Sequence, residues 1–215
     1  MTMLITGVDE VGLGCLAGPI VATAVTLETD FSLELLRQWW PVPGINDSKK
    51  LSPKKREALK MDLTLYIINR FGEVGTSIVS VDYINEHGYA KAHQYALWEA
   101  VENATQRAWL FPDLVVVDGN RVIEDLEPRQ RVEPKADENY FHVAAASILA
   151  KTTRDALMTK LSQEHPEYGW GKNKGYGTKD HRDALVAYGL SPHHRTLPCE
   201  TVLSKVAAKK RPTGW

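Results

Sequence analysis

The run Leu114-Val115-Val116-Val117 is wholly apolar and stops abruptly at Asp118-Gly119. A strand with no polar face must be covered on both sides, so this run demands a sheet with neighbours and helices packed on it. Met3 to Val8 has the same character, short and largely apolar, and it is closed by two acids, Asp9 and Glu10. It reads as a second buried strand. Gly12, Gly14, Gly18 and Pro19 then punctuate a turn. Ile20 to Leu27, β-branched and Ala-rich, reads as a strand returning as a hairpin. Gly75 to Val81 reads as a further strand, and Arg131 to Pro134 as a short one.

Helical patterns lie between these strands. Ser52-Pro53 offers an N-cap and a proline at the first helical position. Leu59, Leu63, Tyr66, Ile67 and Phe71 then recur at helical spacing, after a loop-like stretch from Pro41 to Ser52. Tyr89 to Leu110 is a long Ala-rich helix stopped by Pro112. The helical pattern resumes at Glu138 and continues through Ala144-Ala145-Ala146 to Glu164. His165 to Gly177 reads as looped, Thr178 caps a helix ending near Gly189, and the tail from Ser191 is basic and partly irregular. Strands first, then strands alternating with helices, predict an α/β fold with a mixed sheet and helices packed on it. Residues 1–165 are expected to form that domain and residues 166–215 a smaller helical appendage.

Composition excludes several classes. With 215 residues, 43% of them hydrophobic, the chain can bury a sizeable core, and disorder is excluded. Cys15 and Cys199 form neither a disulfide framework nor a CxxC zinc spacing, which predicts a reduced, cytoplasmic protein. The N-terminus lacks the basic and long apolar segments of a signal peptide, and no apolar run is long enough to span a bilayer, so no membrane partner is expected. The chain is expected to act as a monomer. A net charge of -1 counts against a general nucleic-acid binder. Its distribution is more permissive. Lys49, Lys50, Lys54, Lys55 and Arg56 cluster, as do Lys172, Lys174, Lys179 and Arg182, and then Lys205, Lys209, Lys210 and Arg211. Such clusters beside turns allow local phosphate contact, although each also reads as a solvated face.

Asp9 and Glu10 end one apolar strand and Asp118 ends another. If those strands are neighbours, the acids open onto one sheet edge, where α/β sheets place their ligands. Asp137 lies just before a helix and reads either as its N-cap or as an inward carboxylate. Asp118-Gly119 reads also as a plain turn. Crowded carboxylates repel unless a cation sits among them, and hard oxygen donors suit Mg2+ or Mn2+. Two such ions about 4 Å apart serve phosphodiester cleavage. None of the seven histidines has a convincing metal-ligand partner, and His193-His194-Arg195 reads as a surface or phosphate-facing patch. Lys151 and Arg154 project from a helix and read equally as solvated side chains.

At this point the residues resemble a known family. Gly7-Val8-Asp9-Glu10-Val11-Gly12-Leu13-Gly14, followed by Leu16-Ala17-Gly18-Pro19, resembles the opening signature of ribonuclease HII, the type 2 ribonucleases H. Asn46 to Ser52, Asp118-Gly119-Asn120, and Lys135-Ala136-Asp137 with Ala144 to Asp155 are similar to later blocks of that family. So are His165-Pro166, Tyr168-Gly169 and Lys174 to Thr178. The blocks are in family order and span nearly the whole chain. The resemblance implies a ribonuclease H-like five-stranded mixed sheet flanked by helices, with a C-terminal helical extension. It implies two-metal hydrolysis of RNA in RNA/DNA hybrids, or in DNA duplexes containing ribonucleotides, leaving 5′-phosphate and 3′-hydroxyl ends. Asp9, Glu10, Asp118 and Asp137 fall on the family's four catalytic acids, and Tyr176 on the tyrosine that senses the RNA-to-DNA step. A phenol suits that task, because its ring stacks on a sugar lacking a 2′-hydroxyl. Gly12, Leu13 and Gly14 fall on a turn whose backbone reads the 2′-hydroxyl, and Ser48 and Lys49 on phosphate contacts.

The chain departs from the family near the C-terminus, where His194-Arg195 matches the start of a family block but Thr196-Leu197-Pro198-Cys199 does not continue it, and at two positions of the glycine turn. The family's turn reads Gly-Arg-Gly-Pro, whereas here Leu13 replaces the arginine and Cys15 the proline. Leucine has no charge and no donors, so any contact made by the arginine side chain is lost while backbone contacts persist. The expectation is that hybrid cleavage survives and that handling of single embedded ribonucleotides is altered. A catalytically weakened nucleic-acid-binding protein of the same fold, or another metal-dependent nuclease, are the competing readings.

Overall fold

In the computed structural model, residues 2–30, 40–45, 52–105 and 111–210 are described. The strands are β1 (Met3–Val11), β2 (Ile20–Thr29), β3 (Glu73–Val79), β4 (Leu114–Asp118) and β5 (Gln130–Glu133). The helices are α1 (Pro53–Asn69), α2 (Val81–His87), α3 (Tyr89–Thr105), α4 (Phe141–Glu164), α5 (Trp170–Asn173), α6 (Lys179–Tyr188) and α7 (Thr196–Lys210). The chain divides into two compact units. The first takes residues 1–11, 21–78 and 93–153, and the second 12–20, 79–92 and 154–215.

The five strands lie in the order β3-β2-β1-β4-β5. β1 is central. It pairs antiparallel with β2, from Met3↔Thr29 to Val11↔Val21, and parallel with β4, from Ile5↔Leu114 to Val8↔Val117. β4 pairs parallel with β5. The sheet is therefore mixed, and the apolar run of β4 is buried as its composition requires. Leu59, Leu63 and Ile67 of α1 join Val25, Leu27, Phe141, Ala144, Ala145, Ala146, Ile148 and Leu149 in one core. Ile5, Leu114, Val116, Ala136, Tyr140 and Val143 form another. α4 closes tightly on β1 at Gly7, where an added Cβ would run into the backbone of His142 and Val143. The alanines 144–146 belong to the same logic, since small side chains permit close approach.

In the second unit, Ala17, Met158, Tyr168 and Trp170 form one core and Leu16, Leu185 and Cys199 another. The rings of Tyr168 and Trp170 stack 5.0 Å apart at 16°. This division differs from a cut at residue 165. The 12–20 turn belongs to the second unit because Leu16 and Ala17 are buried among residues of the C-terminal part, and that part begins at Arg154.

Ser52 caps α1 as expected, its hydroxyl accepting from the Lys55 amide at 3.4 Å with Pro53 at the first position. Other boundaries shift. β1 runs on through Asp9 and Glu10, because both pair with β2. The strand expected to reach Val81 stops at Val79, since Ser80 caps a new helix through the Tyr83 amide at 3.1 Å. A short 3₁₀ turn, Ala136–Glu138, precedes α4, which starts at Phe141 and not at Glu138. The segment read as looped holds a 3₁₀ turn, Pro166–Tyr168, and α5. The tail read as partly irregular contains α7. Among the described residues, no helix is long and apolar enough to cross a membrane.

The contact at Gly7 is testable. Gly7→Ala forces α4 away from β1, and overpacking of this kind costs about 1–3 kcal/mol. Urea unfolding should show a lower midpoint with an unchanged slope; an unaltered midpoint would show that the approach is looser than described.

Candidate active site

Register brings two of the acids together. Val8 pairs with Val117 in parallel strands, so Asp9 and Asp118, one residue further on, follow the end of the β1–β4 ladder together, Asp9 still paired with β2 and Asp118 with β5. Asp118 Oδ1 accepts from the Ala136 amide at 2.8 Å, which ties the end of β4 to the turn carrying Asp137. That turn enters through Lys135, held in the left-handed region at φ 61°. Asp137 is buried. Glu10 follows Asp9, and its amide donates to Asp9 Oδ1 at 2.8 Å.

Asp9 is the most constrained of the four. It is 6% exposed. Burial pushes its carboxyl up to about 8, and the charges of Glu10 and Asp118 push the same way. The Ser147 hydroxyl and the Glu10 amide donate to it and oppose the shift. As they stand, no three His, Cys, Asp or Glu side chains among the described residues close round one point. Asp118 spends one oxygen on Ala136. The donor chemistry nonetheless fits a hard divalent cation. The donors are carboxylate oxygens, and the elevated Asp9 carboxyl records burial first and then the negative charge of Glu10 and Asp118, both of which a cation would offset.

Two residues near the acids escaped the sequence. Ser147 lies inside the Ala144 to Asp155 block, but nothing in the sequence singled it out as a donor to Asp9. His93 Nε2 lies 3.4 Å from Glu10 Oε2. Its only signal is a polar residue in an Ala-rich helix, which carries no indication of a partner 83 positions away.

The turn Gly12–Gly14 and Tyr176 lie in the second unit. Cys15 and Tyr176 form an isolated antiparallel β-bridge, and the Leu16 amide donates to the Gly175 carbonyl at 2.8 Å. Tyr176 keeps 38% of its surface exposed, and Arg154 lies over its ring at 5.8 Å. Gly12 has φ 101°, and a Cβ there would strike the Arg154 side chain. Ser48 and Lys49 lie outside the described residues.

Two arginines hold this turn, and both correct the sequence reading. Arg154, read as solvated, is fully buried. It donates through Nε to the Pro19 carbonyl at 2.9 Å, through Nη1 to Lys174 at 2.8 Å and through Nη2 to Ala17 at 3.0 Å. Arg195, read as part of a surface patch, is also fully buried. Its Nε and Nη2 donate to the Gly18 carbonyl at 3.0 and 2.8 Å, and its Nη1 to the Leu13 carbonyl at 3.0 Å and to the Tyr89 hydroxyl. His194, of the same presumed patch, is buried as well. A buried guanidinium is tolerable only when its donors are met, and here carbonyls far off in sequence meet them.

Residues 6–199 match the family described as Ribonuclease HII. A ribonuclease HII of Anaplasma phagocytophilum is 42% identical over 193 residues, covering 89% of this chain and 84% of the relative. One from Neisseria meningitidis is 41% identical over 209 residues, covering 96% and 99%. The crystal structure of the ribonuclease H2 from Pyrococcus horikoshii OT3 superposes with a TM-score of 0.71 at 26% identity, covering 95% of this chain and 99% of that one.

The Asp9 carboxyl sets a pH dependence. Its folded value, about 8, exceeds its ordinary 3.8. The folded protein therefore holds a proton that the unfolded chain has lost, and the associated stability, complete below 3.8, drains away as pH rises towards 8. With chelator present, Asp9→Asn should gain on the parent protein by a few kcal/mol between pH 5 and pH 8 in urea melts. Mn2+ should stabilise the parent more at pH 8 than at pH 5, because the ion and the proton compete. Parallel melting curves for the two proteins across that range would remove the assignment.

Proposed function

The chain belongs to the ribonuclease HII family and is a ribonuclease H, and from that premise we propose that it hydrolyses the RNA strand of RNA/DNA hybrids in a two-metal reaction leaving 5′-phosphate and 3′-hydroxyl ends. Asp9, Glu10, Asp118 and Asp137 are the residues that would hold Mg2+ or Mn2+. Such cations, when bound, supply positive charge against the scissile phosphate and acidify water. The observation that carries this reading is that Asp9 and Asp118 each follow the last paired residues, Val8 and Val117, of neighbouring parallel strands, with Asp9 raised to about 8 by burial and by its acidic neighbours. Asp118 would exchange the Ala136 amide for a cation, and Ser147 would hold Asp9 in its rotamer throughout.

The second unit supplies recognition in this proposal, as a substrate-binding extension. Tyr176, half-exposed on a loop bridged to Cys15, stacks on the sugar that lacks a 2′-hydroxyl. The Gly12–Gly14 turn reads the 2′-hydroxyl through its backbone, and Ser48 and Lys49 contact phosphates. The Leu13 carbonyl is committed to Arg195. Leu13 therefore offers a substrate only its amide and an apolar side chain, where the family's arginine offers five donors. Cleavage at single embedded ribonucleotides is accordingly altered, whereas cleavage of uniform hybrids is retained. Two buried thiols outside any disulfide support a reducing, cytoplasmic setting, and the protein acts as a monomer.

Labelled RNA/DNA hybrid, duplex DNA and duplex RNA, each with Mg2+ or Mn2+, test the reaction. The hybrid alone should be cut, and Asp9→Asn should lower kcat by about a hundredfold or more. No hybrid cleavage with either metal would refute the activity, and full activity in Asp9→Asn would refute the site. A second comparison addresses specificity. Leu13→Arg should raise kcat/KM on a duplex with one ribonucleotide by about tenfold and leave the uniform hybrid within about threefold. Efficient junction cutting by the parent, indifferent to Leu13→Arg, would rule out the specificity claim.

A further inference from the structure

Trp170, His181 and His194 are buried in the second unit, and their hydrogen bonds fix every proton among them. The Ser191 amide donates to His194 Nδ1 at 2.9 Å. That nitrogen is therefore an acceptor, and a neutral His194 carries its proton on Nε2. His194 Nε2 lies 3.1 Å from His181 Nε2. The Trp170 indole Nε1, which can only donate, also points at His181 Nε2 from 3.0 Å. His181 Nε2 is thus unprotonated, and its proton sits on Nδ1. His181 Nδ1 lies 3.0 Å from the Tyr176 carbonyl, which can only accept. A backbone amide at one end, an indole in the middle and a carbonyl at the other end demand the same two neutral tautomers. A proton added to either ring would set one donor against another. Burial lowers both imidazoles from their ordinary value, His194 to about 4.

The chain of bonds ends on a loop whose carbonyls are all held. The Lys174 carbonyl accepts from Arg154 at 2.8 Å and Gly175 from the Leu16 amide at 2.8 Å. Tyr176 accepts from His181 and, across the local turn, from the Thr178 amide at 2.8 Å, and Gly177 accepts from Arg182 Nη1 at 2.9 Å. Lys174 and Gly175 are both at positive φ, 52° and 83°, so the loop is bent against the ordinary preference of Lys174. Side chains from elsewhere, together with the Leu16 amide, hold it there.

We infer that His181 and His194 are positioning residues for Tyr176: a relay of two neutral imidazoles anchors its carbonyl, and this fixes the direction in which its half-exposed ring meets the substrate. The inference rests on the recognition role proposed for Tyr176. His181 touches no substrate in this scheme and acts only through that carbonyl. His194 acts one step further back, by holding the His181 tautomer. Asparagine at position 181 can place its amide nitrogen where Nδ1 stands and keep the donation, whereas leucine cannot.

The experiment measures kcat and KM on a uniform hybrid and on a duplex with one ribonucleotide, for the parent, Tyr176→Ala, His181→Leu, His181→Asn and the Tyr176→Ala/His181→Leu pair. On whichever substrate Tyr176→Ala costs more, His181→Leu should lower kcat/KM by about tenfold and His181→Asn by no more than about threefold. In the Tyr176→Ala background, His181→Leu should cost no more than about threefold, because its route of action is gone. Long-range ¹H–¹⁵N spectra of the ¹⁵N-histidine parent protein at pH 6 should show neutral His181 with its proton on Nδ1 and neutral His194 with its proton on Nε2. Those spectra decide the relay even if His181→Leu fails to fold. An imidazolium at either position, or the opposite tautomer, overturns it. A harmless His181→Leu beside a costly Tyr176→Ala overturns the positioning role alone. A harmless Tyr176→Ala on both substrates overturns the role of the tyrosine, and with it this one.

Discussion

A carboxylate taken out of water must find donors, a cation or a proton, and Asp9 is where this fold leaves that demand open. Its position is a consequence of β1 lying between β2 and β4. The antiparallel pairing with β2 continues through Asp9 and Glu10, which keeps both in extended backbone. The parallel pairing with β4 brings Asp118 alongside. Burial comes from α4, which approaches β1 closely enough that Gly7 admits no side chain. A fold selected for stability alone would fill this edge with apolar residues, since a buried charge without a partner costs several kcal/mol. One serine hydroxyl and one amide are too few donors to bring the carboxyl back to its ordinary range.

The second unit treats buried charge in the opposite way. Arg154 and Arg195 are as buried as Asp9, yet their donors run to the carbonyls of Leu13, Ala17, Gly18, Pro19 and Lys174. Each guanidinium presents several donors in a fixed plane, so one side chain fixes several carbonyls of an irregular segment at once. A turn of glycines and small residues has no ladder of its own to hold its shape. The arginines replace that ladder, and the histidine relay does the same for the loop carrying Tyr176. Asp9 keeps a raised carboxyl despite its two donors, whereas the two arginines are engaged in holding shape.

This contrast explains what could be read in the sequence. Leu114 to Val117 and Met3 to Val8 announce buried strands by composition, and the acids that close them announce an edge. These are local signals, and the register between the strands turned them into a site. Arg154, His181, His194 and Arg195 gave no such signal. A lone charged residue on a helix such as Arg154, or in a tail such as Arg195, reads as solvated, because its burial depends on partners 137 and 182 positions away. The second unit itself is assembled from three separate stretches, and nothing in the composition of 12–20 or 79–92 ties them to the C-terminal part. Ser80 is a milder case: the β-branched run continued past it to Val81, yet its hydroxyl met the Tyr83 amide and opened a helix. Local capping won over strand propensity there.

The same reasoning locates the consequence of Leu13 and Cys15. The backbone at Leu13 is held by Arg195 through its carbonyl, and Cys15 by the bridge to Tyr176 and by the Tyr89 hydroxyl on its carbonyl at 3.3 Å. These bonds use main-chain atoms and are indifferent to the side chain attached. Replacing arginine by leucine, or proline by cysteine, therefore leaves the path of the turn intact. What changes is the set of groups offered to a ligand: a guanidinium is withdrawn, and a buried thiol is placed at the Tyr176 side chain, with which it shares a hydrogen bond. Scaffold and reader are separable under the proposed function because the scaffold is built from carbonyls and distant arginines, so substitutions in the turn would alter selectivity without touching the four acids proposed to hold the cations.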